Sequence, residues 1–236
     1  PDAFMKFAAA IIALIIAALV LPFLVPIGSQ RPGVDPEANL PWQIEVDGQG
    51  GSRVFGLRPG ASTLGELRQR LGGELEVAII AAPNEVGALE AYVAQVPLGF
   101  VLARVIATVD AEKSQIVAMR ERALKAEHME SATRKIKLHP DDLAAADSLP
   151  VKAISVIPTV NLDEATVIQR FGQPGERVAL GEKRVHLLYP EKGLDVVVDA
   201  DGKELLQYVA PRHFDLLRAP LQAEVAARAA APSAAR

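Results

Sequence analysis

The sequence predicts an α+β protein: a single N-terminal transmembrane helix, then two small α+β modules of short helices packed on antiparallel sheets, joined by a helical insert. Three observations predict it. Phe7 to Ile27, FAAAIIALIIAALVLPFLVPI, is twenty-one residues without a charge, and a helix of about 20 apolar residues spans the roughly 30 Å hydrocarbon core of a bilayer. A short capped helix closed by glycine occurs twice, with Gln169-Arg170-Phe171-Gly172 standing one hundred residues after Gln69-Arg70-Leu71-Gly72. Extended apolar segments broken by turn residues follow each copy.

The apolar run lies between Lys6 and the group Arg31, Asp35 and Glu37. It is longer than the apolar segment of a cleaved signal peptide, and Pro26 to Pro32 offers no A-x-A site, so the anchor is expected to stay in place. Pro1 as first residue fits an uncleaved terminus that has lost its initiator Met. Pro22 and Pro26 mark the exit from the helix. Lys6 is opposed only by Asp2, whereas one Arg and two acids follow the run, so the positive-inside bias places the amino terminus in the cytoplasm. The expected location is a bacterial inner membrane, single-pass, with the C-terminal part periplasmic. Expected boundaries are 1–27 for the anchor, 28–41 for a linker, 42–110 for the first module, 111–152 for the helical insert, 153–218 for the second module and 219–236 for an Ala-rich tail.

Composition excludes several classes. Twenty-five Lys and Arg against twenty-nine Asp and Glu give a formal charge of −4, which offers no basic surface of the kind nucleic acid requires. Cysteine is absent, and with it disulfides, thiolate chemistry and a lipid-modified cysteine anchor.

In chain order, Gly28 to Pro41 is rich in Gly and Pro and reads as the linker. Trp42, Ile44 and Val46 alternate onto one face, Asp47-Gly48-Gln49-Gly50-Gly51 turns, and Ser52 to Leu57 returns. Trp42 suits either a membrane interface or the core of the first module. Ser62 or Thr63 caps the first short helix, with Thr63 and Glu66 as a capping box, Leu64, Leu67 and Leu71 on one face and Gly72 at its end. Strands are expected over Leu75 to Ala82, Gly87 to Val96 and Phe100 to Val109. Ala111 to Lys137 reads as one helix, because Ile116, Met119, Ala123, Ala126, Met129, Ala132 and Ile136 recur at steps of three or four. His139-Pro140-Asp141-Asp142 opens another short helix. The second unit begins with Asn161 and Glu164 as a capping box and closes at Gly172. Strands Arg184 to Tyr189, Leu194 to Val198 and Lys203 to Val209 follow, the last two joined by Asp199-Ala200-Asp201-Gly202. The tail after Pro220 reads as a frayed helix.

The second unit, with L-D-E-A-T-V-I-Q-R-F-G-Q-P ahead of paired strands and a D-x-D-G-K hairpin, resembles the small outer-membrane-assembly domain called SmpA/OmlA or BamE. Pro59-Gly60-Ala61-Ser62-Thr63 with Leu67 and Gly72 resembles the first part of that family's element, and Val167, Gly172 and Pro174 resemble the second. Family members are lipoproteins, whereas this chain has no cysteine. Val160 stands where the turn glycine is expected, and Glu74 replaces the proline of the first unit. The resemblance implies a protein-binding scaffold of the cell envelope, without catalysis.

No constellation for chemistry emerges. His128, His139, His186 and His213 fall on different predicted elements, no two of them at metal-ligand spacing, and no G-x-S-x-G occurs. The loop Asp47 to Ser52 lacks the P-loop Lys, and Asp199 with Asp201 lacks the Glu of a calcium loop. No catalytic, cofactor-binding or metal-ligating residue is therefore expected. The function expected is that of a non-catalytic accessory or assembly subunit whose partners are the bilayer and the subunits of an integral membrane complex, with close packing allowed by Ala8-Ala9-Ala10, Ala13 and Ala17-Ala18. The alternative is a membrane-anchored periplasmic hydrolase or ligand-binding protein, which would need a convergent polar pocket.

Overall fold

A computed structural model describes residues 38–72, 74–129 and 132–230. The expected membrane-spanning stretch, Phe7 to Ile27, lies outside them. Among the described residues no helix is long and apolar enough to cross a membrane, so the expected transmembrane helix has no counterpart there. The two separate modules are corrected, because both units contribute to one ten-stranded antiparallel sheet.

A hairpin comes first, β1 (Glu45–Val46) and β2 (Ser52–Arg53). Helix α1 (Leu64–Leu71) follows, capped as its sequence dictates. Thr63 Oγ1 accepts from the Glu66 amide at 3.2 Å, and Glu66 Oε2 accepts from the Thr63 amide at 3.0 Å. The chain then runs through β3 (Glu76–Ala81), β4 (Ala88–Leu98) and β5 (Val101–Val109) as a meander. Helix α2 (Lys113–Glu121) is much shorter than the expected helix to Lys137. A hairpin replaces the rest, β6 (Lys125–His128) and β7 (Arg134–Lys137), turning through Ala132 at φ 59°. As a strand, this segment pairs Ile136 with Ile79 of β3 and buries both. A spacing of three or four drawn from Ala and Met suits either structure, and burial against an open strand edge decides it.

After α3 (Pro140–Ala146) come β8 (Val151–Pro158), α4 (Glu164–Phe171), β9 (Glu176–Leu180), β10 (Arg184–Tyr189), β11 (Leu194–Asp199) and β12 (Leu205–Val209), then α5 (Asp215–Ala230). The cap of α4 is Asp163, whose carboxylate accepts from the Thr166 amide at 2.7 Å, in place of the expected Asn161. The tail helix starts at Asp215 and carries Pro220 inside it.

Strand order across the sheet is β6-β7-β3-β4-β5-β8-β12-β11-β10-β9. Setting aside the β6–β7 hairpin, the order reads the same from both ends: helix, four-strand meander, then a shared seam where β8 pairs antiparallel with β12. The capping residues Thr63 and Asp163, and the first strand residues Glu76 and Glu176, keep the hundred-residue offset. The internal repeat is thus real, but its two copies meet strand to strand.

One face of the sheet carries the main core. Val77, Ile79, Leu89, Val105, Ile154, Val156, Leu187, Leu194, Val196, Leu206 and Tyr208 form it, covered by Leu64 and Leu67 of α1, Ile116 and Met119 of α2, Ala146 of α3 and Val167 and Phe171 of α4. On the opposite face α5 covers the second half of the sheet, where Phe214 just before the helix and Leu221 within it pack on Leu180, Leu188 and Val209.

Candidate functional site

The end of the sheet formed by the β4–β5 turn collects most of the aromatic side chains in contact. Leu98 pairs with Val101, so Gly99 and Phe100 form a two-residue hairpin tip. Trp42 lies with its ring centroid 5.8 Å from Phe100 and 6.4 Å from Phe171, the second contact nearly edge-on at 87°. Phe171 in turn meets Tyr189 at 6.0 Å. Such tilted pairs add to the area they bury, because ring edges are positive and ring faces negative.

Two cations brace the cluster. The Arg170 guanidinium lies 4.7 Å from the Trp42 centroid, and Lys192 Nζ lies 5.3 Å from that of Tyr189. Lys192 also donates to the Phe171 carbonyl, and the Tyr189 hydroxyl donates to the Gly172 carbonyl at 2.9 Å. Two orphan carbonyls at the C-terminus of α4 are thereby satisfied by side chains from across the sheet. Burial, and to a smaller extent the charge of Glu164, pushes the Tyr189 phenol up to about 12, so it stays a neutral donor at physiological pH.

Braced from behind, the tip itself stays in solvent. Phe100 is 62% exposed, Leu102 39% and Val160 46%. The Thr159 amide and hydroxyl both bond the Leu102 carbonyl, at 2.8 and 2.9 Å, which holds the Thr159-Val160 segment against the β4–β5 hairpin. Arg170 over Trp42 and the exposed Arg104 on β5 supply a cationic border. The result is an apolar tip on rigid elements with a charged rim, the anatomy of a docking point. In the sequence Trp42 stands out as the lone tryptophan, and the structure gives it a role between the two repeats. Nothing in the order of residues joins it to Phe100 and Phe171.

The residues weighed for chemistry stay apart. His128 is exposed on β6, His139 caps α3, and His213 lies in a short 3-10 turn (Pro211–His213). His186 Nδ1 is 2.8 Å from Asp195 Oδ2, on the face that α5 covers. The Asp195 side chain is only 2% exposed, and its Oδ1 has no hydrogen-bond partner among the described residues. Asp199 is held by Arg184 at 2.9 Å and Asp201 by Lys183 at 2.6 Å, so both carboxylates of the D-x-D-G turn are occupied. In the glycine-rich loop, Asp47 Oδ1 accepts from the Gln49 and Gly51 amides, each at 2.9 Å. Those bonds, the Gln49 one foremost, hold the Asp47 carboxyl below its ordinary value. The loop's amides therefore serve its own carboxylate rather than a phosphate. Among the described residues no group of three or more His, Asp and Glu is placed to hold a metal ion.

Comparison with known families, characterised proteins and solved structures finds no match to this chain, and so nothing there identifies the SmpA/OmlA family.

Proposed function

We propose that this chain is a non-catalytic binding subunit that docks a partner protein of a larger complex on the aromatic tip of its sheet. The observation that carries this reading is Phe100, nearly two-thirds exposed at a hairpin tip whose base is fixed by Trp42, Phe171 and two stacked cations. An exposed aromatic with a preorganised backing loses little conformational freedom on binding, which is the property of an interface anchor. Leu102 and Val160 widen the apolar contact, and the cationic border gives it direction.

The test is capture on the tagged full-length chain from a native extract, followed by reconstitution of the recovered partner with purified protein. A stoichiometric complex that survives purification and weakens roughly tenfold or more in Phe100→Ser is expected. Equal binding by Phe100→Ser, or no stoichiometric partner at all, overturns the reading. Phe100 is a surface side chain, so far-UV circular dichroism and melting of the variant are expected to stay close to those of the parent.

A further inference from the structure

A second surface has the opposite character. Between β2, the loop after it and α1 lies an open basin of about 660 Å³, lined by Arg53, Arg58, Ser62, Glu66, Gln69 and Arg70 over a floor that includes buried Leu57. Its lining carries three guanidinium groups and one carboxylate, with Glu45 beside Arg53 and Asp47 within reach of the Arg58 charge at its margin, on a chain whose formal charge is −4. Its form is fixed by an unusual turn. Phe55 takes a left-handed φ of 55°, uncommon for a bulky residue, and holds it by burying its ring edge-on against Tyr208 at 5.4 Å.

That turn is clamped to α1. Arg70 Nε donates to the Phe55 carbonyl at 2.7 Å, and Arg70 also bonds the Asn39 side chain. Gly56 takes a positive φ of 77°, the left-handed region that favours glycine, and a Cβ there would stand 2.7 Å from Arg70 Nε. Arg53 and Arg58 are left facing solvent. Arg53 meets the exposed Glu45 at 4.0 Å, and the Arg58 charge acts on Asp47 across the turn. Glu66 is committed to the cap of α1.

We infer that this basin binds an acidic peptide segment of the partner, its carboxylates pairing with Arg53 and Arg58 while the chain lies over Leu57. The charge distribution selects that ligand. The arginines come from three different segments and share the basin with Glu66, so positive charge is spread over its length instead of converging on one point. A row of single negative charges fits this better than a compact phosphate, which an open basin cannot enclose. Arginine forks pair with carboxylates in parallel two-bond geometry, which makes the contacts directional. The inference rests on the partner-binding reading above and adds a second, electrostatic contact at a different place on the surface.

The experiment measures fluorescence anisotropy of a labelled octa-glutamate peptide titrated with the purified full-length chain at two salt concentrations, with inorganic phosphate as competitor. Saturable binding is expected, weakened by salt and by roughly tenfold or more in the Arg53→Gln, Arg58→Gln double variant. Phe100→Ser is expected to bind the peptide like the parent. Absence of saturable binding, or binding unchanged in the double variant, overturns the inference. So does displacement of the peptide by phosphate at matched charge, which would assign the basin to a compact oxyanion. Peptide failure alongside intact Phe100-dependent partner capture removes this inference alone, whereas loss of both removes the reading beneath it.

Discussion

The two halves of the sheet, β3-β4-β5-β8 and β12-β11-β10-β9, share a front face and differ on the back. On the front, α1 and α4 cover their own meanders in matching positions, each ended by a glycine at positive φ, Gly72 at 61° and Gly172 at 85°. On the back, the second half presents Leu188, Val209 and Leu180 to α5. The first half presents Glu90, Tyr92, Arg104 and Thr108 in the same alternation, and every described helix other than α5 contributes to the front core. Burial among its neighbours already raises the Glu90 carboxyl. A repeated unit can therefore keep one face for folding and vary the other, because alternate residues of a strand answer to different faces.

The comparison breaks first at the seam. Leu206 of β12 pairs with Val156 of β8, and both are fully buried. Leu206→Ala is expected to cost about 2–5 kcal/mol, and denaturant unfolding followed by Trp42 fluorescence and by circular dichroism is expected to shift as one transition. Two separated transitions would show halves that fold independently.

A smaller effect is expected beneath α5. Asp195→Leu strands the His186 ring on a covered face and is expected to lower stability by about 1–3 kcal/mol. Adding His186→Phe is expected to recover much of that, since an apolar pair of similar volume often replaces a buried polar one without loss. Thermal melting of the single and double variants decides it; an additive double loss would assign the pair a larger structural role than pairing alone.

The smallest effect separates the two helix caps. Thr63→Ala is expected to cost about 1 kcal/mol at any pH, because its hydroxyl does not titrate. Asp163 differs. Its bonds to the Thr166 side chain and amide lower its folded-state carboxyl value, so its contribution is present above the ordinary carboxylate value and lost as pH falls through the lowered one. Asp163→Asn is thus expected to melt lower than the parent at neutral pH and to converge with it in acid, while Thr63→Ala keeps its offset. Parallel pH profiles for the two variants would refute the distinction.

Local signals carried much of this fold. The capping box at Thr63 and Glu66, the helix-ending glycines and the hairpin at Asp199 are fixed by neighbours within a few residues, and each is present. Strands β3, β4, β5, β10, β11 and β12 follow from alternation and β-branched content. Four strands had no such signal, among them β6 and β7, which lie where the spacing predicts a helix. β9 is five residues at an edge with Glu176 and Arg177 in solvent, and β8 (Val151–Pro158) runs across the expected boundary at 152–153 between the helical insert and the second module. The joining of the modules was hidden for the same reason, since pairing of β8 with β12 depends on residues about fifty apart. The aromatic tip and the arginine basin were each visible as single residues, Trp42, Phe100, Arg58 and Arg70. Their convergence belongs to tertiary packing, and the left-handed Phe55 that shapes the basin carries no local marker of its own.

The antiparallel seam has one more consequence. A four-strand meander on its own would end in an open hydrogen-bonding edge and would satisfy it by pairing with a second copy, at a cost that rises as the protein is diluted. With both meanders in one polypeptide that pairing is intramolecular, so the joined sheet persists at any dilution. Only the outermost edges stay open, and there Lys125 and Glu127 on one side and Glu176 and Arg177 on the other oppose end-to-end growth into fibres.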